Sequence, residues 1–226
     1  MSDLAALRDR VEQTLLDTGN AIWATGAIDE ALRTALHQYS EHNPQNIETY
    51  ITLGADGREI SLSSLTGLLN VIEVWWPYDH TEEVWPPNKV KGFRIFWDAG
   101  VPMLLLDSVD ADQPESGDEV RIFYSAKQEI DDLDSATATT VPAPHETWLV
   151  IGAAGHAAMS RALDLMETAG TDMYAIGLMA TWGRSKLREF TAFLFSLREK
   201  GARRGPSWGP GWRVDKWDSV DTEDLF

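Results

Sequence analysis

The sequence predicts an α+β protein whose helical and β parts share one chain, in the order helix, helix, β-domain, helix, helix, arm. Three observations predict it. Apolar residues recur three and four positions apart at both ends of the chain, they alternate with polar residues through the middle third, and the last stretch breaks both periods with glycines and prolines set among tryptophans.

The first helix is predicted from residue 3 to about residue 17, where Leu4, Leu7, Val11 and Leu15 fall on one face, with Ser2 as N-cap and Thr18, Gly19 and Asn20 as the stop. A second begins near Ala27 and sets Ile28, Ala31, Leu32, Ala35, Leu36 and Tyr39 on one stripe before Asn43 and Pro44 end it. From Ile47 the period falls to two. Ile47, Thr49 and Ile51 alternate with Glu48, Tyr50 and Thr52, and Ala55, Asp56 and Gly57 then supply a turn into residues 58–62, so these two segments read as a β-hairpin. Further strands are predicted at 70–76, 93–97, 102–106 and 119–125, punctuated by Pro77, Pro86, Pro87, Gly100 and Pro114, which makes the middle third an antiparallel β-domain.

Between 107 and 134 ten acidic residues stand against two basic ones, and the loop parts 107–118 and 129–140 are predicted to be solvated and to form no packed core. After Pro142 and Pro144, which suit a first helical turn, the apolar and alanine-rich residues 145–168 read as a long packed helix. Gly152, Ala153, Ala154, Gly155, Ala157 and Ala158 permit close helix approach there. A last helix is predicted from about 172 to 200, ending at Gly201, with Met173, Ile176, Met179, Phe190, Phe193, Leu194 and Leu197 facing inward. Residues 202–226 form the tryptophan-rich arm.

A length of 226 residues accommodates one domain with extensions, or one core with a subdomain, and 43% hydrophobic residues with ten tryptophans supply a core. Against 36 acidic residues there are 19 basic ones, a net charge of -17 that repels phosphate and argues against tight nucleic-acid binding. The absence of cysteine excludes disulfides, thiolate metal sites and a cysteine nucleophile, in keeping with synthesis in a cytosol. Residues 1–17 lack the apolar core of a signal peptide, and no stretch approaches the roughly 20 apolar residues that span a bilayer, so no membrane partner is expected.

Catalytic patterns fail one by one. Asp79, His80, Glu82 and Glu83 form the densest set of hard-cation ligands, but they lie between Pro77 and Pro86 in a stretch that reads as a loop, where charges are ordinarily solvated. His145 and Glu146 begin a zincin-like pattern, yet the second histidine belongs one turn later, where the chain has Leu149. Ser125 and Ser160 lack the glycine frame of a nucleophile elbow, and Gly152 to Gly155 lies inside a helix pattern and not after a strand. No catalytic, cofactor-binding or metal-binding residue is assigned, and a non-enzymatic protein without cofactors is expected.

Seven of the nineteen basic residues lie between Arg184 and Arg204: Arg184, Lys186, Arg188, Arg198, Lys200, Arg203 and Arg204. They read either as cations favoured toward a helix C-terminus or as a basic surface for an acidic partner. Trp208, Trp212 and Trp217 read either as interface anchors or as rings folded back over the chain's own domain. Arg203, Arg204, Trp208, Trp212, Trp217 and Phe226 are therefore the candidate partner-binding residues, for another protein or a neighbouring subunit.

Several segments carry a family resemblance. Pro102 to Leu106, Gly117 to Tyr124, Thr139 to Pro142 and His145 to Ala154 follow one another as a short strand, a strand ending in tyrosine, a proline-ended linker and an alanine-rich helix. With the earlier helix from Ala31 to Ser40, followed by Pro44, this order resembles the head-to-tail adaptor (connector) proteins of tailed bacteriophages. The resemblance implies a small α-helical bundle made from N- and C-terminal helices (1–46 and 142–201), an inserted antiparallel β-domain (47–141) and an extended C-terminal arm (202–226). It further implies a structural virion protein made in the host cytoplasm and placed in the neck: a homo-oligomeric, twelve-fold ring that binds the portal protein above and a tail-side neck or tail-completion protein below. DNA would pass through its channel without specific binding, as an acidic wall would favour. The enlarged β-region from 50 to 97 and the tryptophan arm depart from the pattern and leave open another neck, tail or baseplate protein, or a carbohydrate-binding β-module.

The charge balance makes a direct prediction. With so few cations to neutralise phosphates, duplex DNA should bind weakly even at low salt, and a gel shift at low protein concentration would contradict this.

Overall fold

The computed structural model describes residues 1–19, 21–82, 88–107, 113–167 and 172–204, with the side chains of 198–204 excepted. Four helices and six strands are present among them: α1 (Leu4–Leu15), α2 (Thr25–His42), β1 (Gln45–Thr52), β2 (Glu59–Ser61), β3 (Leu68–Tyr78), β4 (Phe93–Asp98), β5 (Val101–Leu106), β6 (Glu119–Ala126), α3 (Ala143–Met166) and α4 (Met173–Arg204). The α+β class follows directly, with two cores, one in the helices and one in the sheets.

α1 is capped by Asp3, whose carboxylate accepts from the Ala6 N–H at 2.8 Å, and not by Ser2 as the sequence suggested. It ends where Leu16 adopts a left-handed conformation at φ 57°. The whole predicted stripe of α2 is buried, from Ile28 to Tyr39, and the helix stops at Asn43 because the residue before a proline is pushed out of the helical region.

α3 lies between the other helices and packs on α1, α2 and α4. Its small residues decide the spacing. A Cβ on Gly152 would stand 2.7 Å from the Phe190 ring, and one on Gly155 would meet the Leu187 side chain at 2.9 Å and the Gly183 carbonyl oxygen at 3.1 Å. α4 meets this seam with Ile176, Gly183, Phe190, Leu194 and Leu197 buried. Met173, expected inward, is 64% exposed because it opens the helix beyond the seam. α4 also continues through Gly201 to Arg204, so the arm starts later than the glycine suggested; one glycine costs a helix only about 1 kcal/mol and does not oblige it to stop.

The sheets are antiparallel, in the orders β1-β6-β3 and β2-β5-β4, and residues of both share one apolar core built on Val74, Leu104, Leu106, Val120 and Ile122. The predicted β1–β2 hairpin does not form. β1 pairs with β6 over its full length, from Gln45 opposite Ala126 to Thr52 opposite Glu119, whereas β2 pairs with β5 in the other sheet. After β1 the chain stays tied to the segment before β6, through Leu53 N–H to the Asp118 carbonyl at 2.8 Å and Gly57 N–H to the Pro114 carbonyl at 2.8 Å, before it crosses over. Pro77, read as a stop, lies inside β3, which is an edge strand of its sheet and can spare the N–H.

Residues 129–140 also depart from expectation. They pack against the helices, with Ile130 and Leu133, and Val141 just after them, in the helical core. The Thr139 hydroxyl donates to the Ser2 carbonyl at 2.7 Å, and the Leu4 N–H donates to the Asp131 carbonyl at 3.1 Å, so this segment clasps the start of α1. The acidic neighbours masked an apolar spacing that a core could use.

If the glycine seam sets the α3–α4 distance, Gly155→Val should lower stability by roughly 1–3 kcal/mol through overpacking. Equilibrium urea unfolding measures this, and an unchanged midpoint would contradict the seam.

Candidate functional site

The candidate residues from the sequence fall at or beyond the described boundary. Arg203 and Arg204 occupy the last turn of α4, with side chains outside the description, and Trp208, Trp212, Trp217 and Phe226 lie outside the described residues altogether. Of the basic group, Arg184 and Arg188 are exposed on α4, while Lys186 is held by Glu189 at 3.0 Å.

The zincin-like pair serves the fold. His145 sits 2.6 Å from the Tyr39 hydroxyl, whose ionisation burial pushes up to about 12 in spite of a hydrogen bond from Asn43. Glu146 is 4% exposed and accepts from the Ser2 N–H at 2.8 Å, the Ser2 hydroxyl at 2.7 Å and Arg10 at 3.0 Å. Burial alone would raise its carboxyl, but those donors outweigh it and hold the group below the ordinary glutamate value.

The ligand-like cluster is assembled differently from its sequence neighbours. Asp79 and His80 are joined not by Glu82 but by Glu119 at the start of β6, which His80 approaches at 2.7 Å through Nδ1 and 3.0 Å through its backbone N–H. Glu83 lies outside the described residues. An Asp79 oxygen accepts both the N–H and the hydroxyl of Thr81, so the polar atoms here are engaged with one another. Nearby, Arg121 lies 4.7 Å over the Trp75 ring, 5.1 Å over Tyr78 and 5.3 Å over Phe123 while pairing with Glu48, which covers a face of Trp75.

Two surfaces of the helical part were not visible in the sequence. One is a groove of about 480 Å³ between the start of α2 and the far half of α3, floored by Trp23, Ala27 and Ala157 and edged by Glu30, Arg161 and Asp164. Its wall is fixed by Asp17, whose carboxylate accepts the N–H groups of Ala21, Ile22 and Trp23 at 2.8–3.0 Å and is held below the ordinary aspartate value, chiefly by the Trp23 N–H. Burial holds His156, which lines the same groove, below the ordinary histidine value, so the imidazole is neutral at neutral pH.

The second surface is the outer side of α4. Tyr174, Leu178 and Phe195 are 74%, 55% and 52% exposed, with the Phe195 ring edge-on to His42 of α2 at 6.0 Å, and Leu163 and Met166 of α3 are exposed as well. Only the alternation of inward and outward heptads along α4 could have signalled it, and the inward set alone was legible.

No family model matches the chain, and no curated protein does. Among solved structures, it is similar to a chain in the neck of an empty gene transfer agent particle computed with C6 symmetry, at 17% identity and a TM-score of 0.32, covering 79% of this chain and 87% of that one. A chain in the virion of a native gene transfer agent particle gives 17% identity and a TM-score of 0.30, covering 80% and 87%. Values this low assign neither a family nor a role.

Glu146 carries a pH prediction. Its folded carboxyl is depressed, so its contribution is complete above the unfolded value of about 4.3 and is lost as pH falls through the lower folded value. Glu146→Gln should therefore flatten the acid loss of stability and cost about 1–3 kcal/mol at neutral pH. Urea midpoints measured from neutral to acid pH check both parts, and an unaltered acid limb would contradict the assignment.

Proposed function

We propose that the chain is a non-enzymatic structural protein of a phage-like particle: a head-to-tail adaptor that assembles as a ring beneath the portal and joins it to the tail side of the neck. One observation carries the reading. α1 and α2 close on α3 and α4 as one bundle, and the whole β-domain is carried as an insertion between His42 and Ala143, the arrangement that the adaptor resemblance implies. The acidic balance supports it, since a channel wall that neutralised phosphates would hold DNA instead of letting it slide.

In this reading the arm meets the portal or a neighbouring subunit, with Trp208, Trp212, Trp217 and Phe226 as anchors and Arg203 and Arg204 beside them. Truncation after Arg204 should leave the melting temperature within a degree or two of the full chain, because both cores lie before it, yet abolish capture by purified portal. Trp208→Ala, Trp212→Ala or Trp217→Ala should weaken capture by about 2 kcal/mol where the ring is an anchor. Full portal binding by the truncated chain would remove the arm from the account. Failure of the full chain to bind portal would remove the adaptor reading itself.

A further inference from the structure

The groove between the start of α2 and the far half of α3 is apolar at its floor, where Trp23, Ala27 and Ala157 meet, and Ile22 beside it is 49% exposed. Its charges are not equally free. Glu30 is paired with Arg33, and Asp164 is engaged as well. Arg161 has no ion pair among the described residues, and its Nε is buried without a hydrogen-bond partner. A buried donor without an acceptor is costly, so the groove favours a carboxylate carried next to large apolar side chains.

The chain carries such a segment. Asp221, Glu223 and Asp224 stand directly before Leu225 and Phe226, outside the described residues. The other undescribed stretches match the groove less well. Residues 83–87 and 108–112 belong to the β-domain, which leaves the bundle between His42 and Ala143, at the end where Tyr39 meets His145. The groove lies toward the opposite ends of α2 and α3. Residues 168–171 hold no carboxylate.

The arm is long enough to return. α4 runs antiparallel to α3, with Phe190 on Gly152 and Gly183 on Ala158, so Arg204 and Arg161 lie on either side of the Phe190 crossing. At ~1.5 Å per residue they stand about 35 Å apart along the bundle. Residues 205–220 span up to about 50 Å when extended at ~3.3 Å each.

We infer that residues 221–226 seat in the α2–α3 groove of their own chain. Their carboxylates meet Arg161, and Leu225 and Phe226 lie against Trp23, Ala27 and Ala157. A tether favours the chain's own groove over that of a second copy, because it holds the segment at an effective concentration on the order of millimolar. This goes beyond the adaptor reading, in which Phe226 meets a partner: in the free chain the groove holds it.

Disulfide trapping in the full chain tests the contact, since the chain contains no cysteine. Ser160→Cys places one thiol on the exposed edge of the groove and Thr222→Cys the other in the segment; in a control pair Ser185→Cys, exposed on α4 and within the arm's reach, replaces the first. In dilute protein under mild oxidation, the groove pair should close into a faster-migrating monomer on a non-reducing gel, roughly tenfold or more faster than the control pair. Asp221→Lys, Glu223→Lys and Asp224→Lys together should remove that advantage without touching the bundle. Arg161→Glu should do the same, and the two changes combined should restore it. Equal rates for the two pairs, or a rate that neither change moves, would overturn the inference. Dimers in place of closed monomers would also overturn it, by putting the segment on a second copy. Portal takes no part in this measurement, so its failure leaves the adaptor reading standing.

Discussion

The rest of the molecule depends on how closely α4 can approach α3. Gly152 and Gly155 leave no room for a side chain against Phe190, Leu187 and the Gly183 backbone, and the alanines between and after them keep the other sides of α3 equally slim. α3 can then be shared by three partners: α1 and α2 from the start of the chain and α4 from its end. The chain's two helical pairs are thereby joined, and 45–126 becomes an insertion that needs its own core. Close packing on α3 also leaves Tyr174, Leu178, Thr181 and Ser185 of α4 exposed. A helix of 32 residues, about 48 Å at ~1.5 Å each, is a long element to leave open on one side.

What could be read in the sequence was what is local. The α2 stripe, the alanine-rich α3 and the strands around β4, β5 and β6 follow from residues within one or two turns of each other, and all appear where period and punctuation put them. Partners in the sheets are not local. β1 resembles the first half of a hairpin, but Ile47 and Ile51 find their place opposite Tyr124 and Val120 of β6, far along the chain, and no turn motif reports that. The same limit hid Glu119 beside His80 and the junction of Ser2 with Glu146. Around 129–140 the failure was of another kind: Ile130, Leu133 and Val141 were present, but the surrounding acids suggested solvent, and it took the exposed start of α1 to make a clasp of them.

The candidate site divides in the same way. The tryptophans after residue 204 announce themselves by composition, since large rings on a segment broken by glycine and proline favour an interface, and their part in the account is to reach a partner. The groove and the exposed residues of α4 have no such signature. Trp23, Ala27 and Ala157 are ordinary helix residues until Asp17 gathers the backbone N–H groups ahead of α2 and sets the chain against α3. The polar constellations at Glu146 and Glu119 are engaged in tying α1 to α3 and the end of β3 to β6.

The proposed ring of identical copies on the portal is tested most directly by mixing the purified chain with purified portal and weighing the complexes by native mass spectrometry. The account predicts a portal-bound species that carries many copies of this chain. A chain that stays monomeric and unbound would contradict it.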